Sequence, residues 1–201
     1  MGAKRVGVGE YLIIFSAILI GLAVADLSLS LHRLLRQGRE IQWHPIVPLT
    51  GFIVLCLILN LWWGLYRNFS QIDQIDFITF LPTVLMLLSL FLLAAAVFPD
   101  EKLEKGASLK EFYLDNRVQF WGLFASYLVL VTINIAIGGY QRDWELVTYF
   151  QASVPNTIWL LACVGMMITR RMIWHWIVVG LSIVVIAGAW FSAQLTQAAA
   201  G

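Results

Sequence analysis

Apolar residues along this chain fall in long unbroken runs, with no alternation of the kind that marks half-buried strands. Six runs can be read: Tyr11 to Leu31, Ile46 to Tyr66, Phe77 to Phe98, Val118 to Gly138, Leu146 to Ile168 and Ile173 to Leu195. Each is close to the roughly 20 residues that a helix needs to cross a bilayer. The polar connections are short, so successive helices should be antiparallel neighbours, and none is large enough for a soluble domain. The pattern predicts an all-α polytopic membrane protein, a compact bundle of six transmembrane helices in one domain over 1–201. No internal repeat is found, which leaves an inverted-repeat transporter without support from sequence symmetry.

Polar residues inside these runs carry the candidate chemistry. In the first run Ser16, Ala23, Asp26, Ser30 and Arg33 fall close to one helix face, while Leu and Ile cover the others. Asp26 lies about 22 Å along a helix that must cross about 30 Å of hydrocarbon, where an ionised carboxylate costs several kcal/mol unless paired or hydrated. One reading is a cation or proton site, with partners among Ser30, Arg33, Arg117 and His175. The other is a carboxyl that locks helix one to a neighbour. Toward the opposite surface Asn60, Asn134, Gln151 and Asn156 come to a similar level with Thr79, Pro82 and Thr83, forming an outer polar layer. Uncharged amides suit either a hydrated vestibule or hydrogen bonds between helices, worth about 0.6–2 kcal/mol each.

Orientation follows from the basic residues. Arg33, Arg36, Arg39, Lys102, Lys105, Lys110, Arg117, Arg170 and Arg171 fall on one side, against Lys4, Arg5, Arg67 and Arg142 on the other. The richer side should be cytoplasmic, with both termini outside. Trp43, Trp121, Trp174 and Trp176 then mark one interface, and Trp62, Trp63, Tyr66, Tyr140, Trp144 and Trp190 the other, while Trp159 falls mid-helix and should pack between helices. Ser108 and Glu111 form a capping box, from which helix four should run continuously through Phe112, Tyr113 and Trp121. Pro82 and Pro155 should each free a carbonyl or bend a helix. Ala17, Gly21 and Ala25 permit close approach of another helix. His175 reads as a half-wet interfacial anchor or a pH sensor, and Arg33, Arg36 and Arg39 as topology determinants that meet anionic headgroups.

Composition narrows the function classes. With 60% hydrophobic and 12% charged residues, too little polar surface exists to face water, and a net charge of +1 offers nothing for nucleic acid. Cys56 and Cys163 lie in separate apolar runs, and His32, His44 and His175 lack ligand spacing, so neither a disulfide, a metal nor a cofactor is expected. The first residues imitate a signal peptide ending in Ala23-Val24-Ala25, but the helical pattern continues to Arg36, so no cleavage is expected. Val6 removes a myristoylation signal, and Asn68-Phe69-Ser70 matches a glycosylation acceptor only weakly. No nucleophile, carboxylate pair or phosphate loop is present in a recognisable arrangement, so the chain does not read as an enzyme.

Several short stretches together support a resemblance. Glu10-Tyr11, the run Leu31-His32-Arg33-Leu34-Leu35-Arg36, Trp62-Trp63, Phe98-Pro99-Asp100, and Phe112-Tyr113 through Phe120-Trp121-Gly122-Leu123 resemble a broad group of small uncharacterised bacterial multi-spanning inner-membrane proteins. The last two helices match by hydropathy only. The resemblance implies a bacterial inner membrane and the bundle, and no activity. Two function classes follow: a small oligomeric channel or transporter for an ion or small solute, and a non-catalytic accessory or scaffold subunit of a larger membrane complex.

Overall fold

The structure is a computed structural model and describes residues 8–69 and 77–199. Lys4, Arg5, Ser70 of the Asn68-Phe69-Ser70 tripeptide, and the side chains of Arg67, Asn68, Phe69, Thr79 and Trp190 lie outside what is described. The elements are α1 (Val8–Gln37), a 3-10 turn (Gly38–Glu40), α2 (Ile46–Phe69), α3 (Phe77–Ala95), α4 (Leu109–Asp115), α5 (Arg117–Gln141), α6 (Leu146–Ile168) and α7 (Met172–Ala199).

Local chemistry explains the breaks. Gly38 ends α1 with φ at +52°, a left-handed conformation that costs glycine nothing. Pro45 precedes α2, whose first N–H, at Ile46, donates to His44 Nδ1 at 3.4 Å. Burial first, and then the charge of Lys110, holds His44 below its ordinary pKa, which suits an accepting nitrogen. Within α6, Pro155 supplies no N–H for the carbonyl of Gln151, one turn earlier.

The expected count of six spans is corrected. Among the described residues, four helical stretches are long and apolar enough to cross a membrane: Gly9–Glu40, Ile46–Tyr66, Arg117–Gln141 and Leu146–Ile168. The third and sixth expected spans are not among these four: their apolar stretches, Phe80–Ala95 within α3 and Met172–Gly188 within α7, are shorter than the four above. In the third run, hydropathy counted residues that are not helical. Ala96, Val97 and Phe98 form a turn, with the Val97 N–H donating to Ala94 O at 3.4 Å. That turn is fixed by packing, because a Cβ on Gly51 would stand 2.5 Å from Phe98 Cζ, so only glycine leaves room for the ring. Helix four is also not continuous. Asn116 (φ −88°, ψ 3°) separates α4 from α5, and the Ser108 side chain makes no capping bond.

The helices form a ring. α5 packs most extensively on α6 and then α3, α3 on α1, and α1 on α2, whereas α7 touches α2 and α6 only lightly and closes the circle. The connections rich in Lys and Arg meet at one end. Lys102 Nζ lies 3.1 Å from Glu40 Oε2, Arg170 Nη2 lies 2.5 Å from Asp115 Oδ1, and the Arg33 guanidinium donates to the Asp100 carbonyl at 3.0 Å. Backbone bonds tie the same segments together, with the Gln42 N–H donating to Ala107 O at 2.9 Å and the Leu109 N–H to Gln42 O at 3.0 Å.

Candidate functional site

The candidate ion or proton site does not come together as one cluster. Asp26 is half-buried, and its Oδ2 has no hydrogen-bond partner among the described residues. Ser30, one turn along, accepts from Arg33 Nη2 at 2.9 Å, so the two residues expected to serve Asp26 bond each other and the Asp100 carbonyl. Arg117 donates from Nη1 to Leu114 O at 2.7 Å, and its buried Nε has no partner among the described residues. His175 belongs to another arrangement.

That arrangement is a directed chain of buried hydrogen bonds joining α4, α5 and α7. His175 is fully buried, at 0% exposure, which excludes the half-wet anchor. Its Nε2 lies 3.1 Å from the Thr169 carbonyl, and a carbonyl can only accept, so Nε2 carries the hydrogen. Nδ1 of the neutral ring is then an acceptor, 2.9 Å from the Tyr113 hydroxyl, which donates to it. The Trp121 indole N–H donates to the same hydroxyl at 3.2 Å. Burial pushes the Tyr113 phenol well above its ordinary pKa, so it keeps the proton this chain needs. Every member is satisfied in one tautomer, and the Tyr113 and His175 rings meet edge to face with centroids 5.2 Å apart. The chain pins the start of α7 to the bend between α4 and α5.

The outer polar layer divides in two. Thr83 of α3 donates to Asn134 Oδ1 of α5 at 2.9 Å, and Asn134 Nδ2 donates to Leu130 O at 2.9 Å, so this pair joins helices. Asn60 and Asn156 instead line a cavity of about 230 Å³ between α2, α5, α6 and α7. Gln151 is exposed and lines neither feature. The rest of the cavity wall comes at helical spacing: Ile53 and Leu57 from α2, Phe124, Tyr127, Leu128 and Val131 from α5, Trp159 from α6, and Ser182, Val185 and Ile186 from α7. Ser182 donates to its own helix, at Val178 O, 2.8 Å away. Asn60 and Asn156 make no hydrogen bond with any described residue, which leaves both amides free to serve an occupant. The cavity exists because α7 does not pack against α5 at this level. Ser182 is seven residues beyond His175 and Tyr127 six beyond Trp121, so its floor lies about 10 Å along the axis from the pin.

Tyr113 in the hydrogen-bonded chain and Tyr127 in the cavity wall are buried residues to which the sequence reading gives no site role, and Trp121, expected in the interfacial belt, is buried. Trp43, Trp63, Trp174, Tyr66 and Tyr140 are exposed, as a belt requires. A usable signal for Trp121 was its spacing from Tyr113 and the concentration of polar-tipped aromatics at one end of the bundle, since such tips seek partners when buried. No group of three or more His, Cys, Asp or Glu able to hold a metal ion occurs among the described residues. Comparison with protein-family models, curated proteins and solved structures gave no match.

Proposed function

We propose that this multi-pass membrane protein is a transporter for a small uncharged solute, which it holds in the cavity between α2, α5, α6 and α7. The observation that carries this reading is the lining: apolar and aromatic side chains with Asn60, Asn156 and Ser182, and no charged residue. An ion placed there would lose its hydration with no counter-charge to replace it, at a cost of several kcal/mol. A neutral solute with a carbonyl or hydroxyl loses little, because a carboxamide both donates and accepts. The volume of about 230 Å³ exceeds the roughly 150 Å³ of an apolar cavity that holds benzene, so a solute somewhat larger than benzene fits. Loose packing of α7 above a pinned base supports entry from that side.

The membrane is proposed to be the bacterial inner membrane, with the basic end of the bundle in the cytoplasm. Convergence of the Arg and Lys segments at one end supports this orientation.

Binding is tested with the purified protein in detergent, titrating uncharged aromatic and aliphatic alcohols, ketones and amides while following tryptophan emission, to which Trp159 in the cavity wall contributes. Saturable changes are expected, weakened about tenfold by Asn60→Leu or Asn156→Leu as a ligand hydrogen bond is lost. A response equal in both variants would remove the cavity from the account. A stoichiometric protein partner in native membranes, together with no binding, would favour the accessory-subunit class.

A further inference from the structure

A second cavity, of about 280 Å³, opens at the basic end and is lined by Arg33, Arg36, Gln37 and Lys102. Three of its four walls are cationic. The fourth, Gln37, is 8% exposed, and its Oε1 is buried without a hydrogen-bond partner among the described residues. Such an acceptor costs about 1–3 kcal/mol when left unmade, so a donor at this place would remove the deficit. Arg33 is already positioned, because its two bonds to Ser30 Oγ and the Asp100 carbonyl fix the guanidinium while leaving other N–H groups free. Arg36 has no partner among the described residues. Lys102 of the lining is paired with Glu40 at 3.1 Å, which Lys105 also approaches at 3.9 Å. The lining itself therefore holds three cations and no acid, while Asp100, Glu101 and Glu104 lie on the neighbouring loop.

We propose that this cavity binds a phosphate ester that carries free hydroxyl groups, with the phosphate on Arg33 and Arg36 and a hydroxyl donating to Gln37 Oε1. Planar guanidinium forks match phosphate oxygens in pairs, which a lysine cannot do. The hydroxyl serves the amide, since a phosphate diester carries no hydrogen to give Gln37 and a monoester, with a second pKa of about 6, carries little near neutral pH. Exposed Leu29 and Leu35 on the same end of α1 bring the site to the edge of the apolar surface, within reach of a lipid headgroup. The same chemistry in water is a glycerol or sugar phosphate. This site is independent of the uncharged cavity above.

The test uses the full chain in detergent micelles, mixed with phosphatidylglycerol, phosphatidic acid or phosphatidylcholine, or with soluble glycerol 3-phosphate, and reads bound ligand by native mass spectrometry. Phosphatidylglycerol is expected to bind above the other two lipids if the source is the bilayer. Glycerol 3-phosphate should bind above methyl phosphate, which has no free hydroxyl, if the source is soluble. Arg36→Gln should weaken whichever binds about tenfold. Gln37→Met should remove the preference for the hydroxyl-bearing ligand while leaving phosphate binding. Helical content measured on both variants confirms that they are folded. Equal retention of phosphatidylcholine and phosphatidylglycerol with no binding of glycerol 3-phosphate, or undiminished binding by a folded Arg36→Gln protein, overturns the proposal.

Discussion

Replacing Tyr113 by Phe removes one oxygen and leaves the ring, so it isolates the buried hydrogen-bond chain from packing. Two groups lose their partner at once. The Trp121 N–H, 3.2 Å from the hydroxyl, and His175 Nδ1, 2.9 Å from it, both lie in a region where Trp121 is 2% and His175 0% exposed, so water does not replace the bond. An unsatisfied buried group costs about 1–3 kcal/mol, which gives roughly 2–5 kcal/mol for the pair once some relaxation is allowed. In a cycle of Tyr113→Phe with His175→Phe, the coupling should be about 1–3 kcal/mol, because the second change removes an acceptor that the first had orphaned. The assay is reversible unfolding in mixed micelles, followed by far-ultraviolet circular dichroism. A Tyr113→Phe protein within about 0.5 kcal/mol of the parent would show that no such chain pins α7.

Two further outcomes are expected. Asp26→Asn should not lower stability, because the carboxylate oxygen it changes has no partner among the described residues; a loss above about 1 kcal/mol in the same unfolding assay would reveal one. A single cysteine at Glu104 in intact cells should resist a membrane-impermeant maleimide until the membrane is opened, and a cysteine at exposed Arg142 should react at once; the reverse pattern inverts the orientation.

Hydropathy located the helices well because each apolar run of the sequence does correspond to a helix in the structure, and the lipid-like surface is written in composition. It overcounted spans for a local reason. Ala96, Val97 and Phe98 are as apolar as the helix before them, yet they serve a turn whose shape depends on Gly51, more than forty positions earlier in the chain. Asn116 hid the opposite case, a break inside a stretch that reads as continuous helix from Ser108. At the sites, amides were legible as candidates, but their division was not. Whether Asn134 meets Thr83 or Asn156 faces a cavity depends on helix rotation, which a run with apolar residues on every side does not encode. The buried role of His175 was equally hidden, because Trp174 and Trp176 beside it give the local sequence the look of an interface. The light packing of α7, which opens the cavity, has no local sequence signature.

The central claim, that the cavity serves an uncharged solute, is tested most directly by flux in proteoliposomes holding the purified protein. Uptake of labelled small alcohols and amides above the protein-free rate, saturable and reduced by Asn156→Leu, is the predicted result, with no current when a potential drives K⁺, Na⁺, Cl⁻ or H⁺. An ion current that requires the protein, without saturable uptake of any neutral solute, would contradict it.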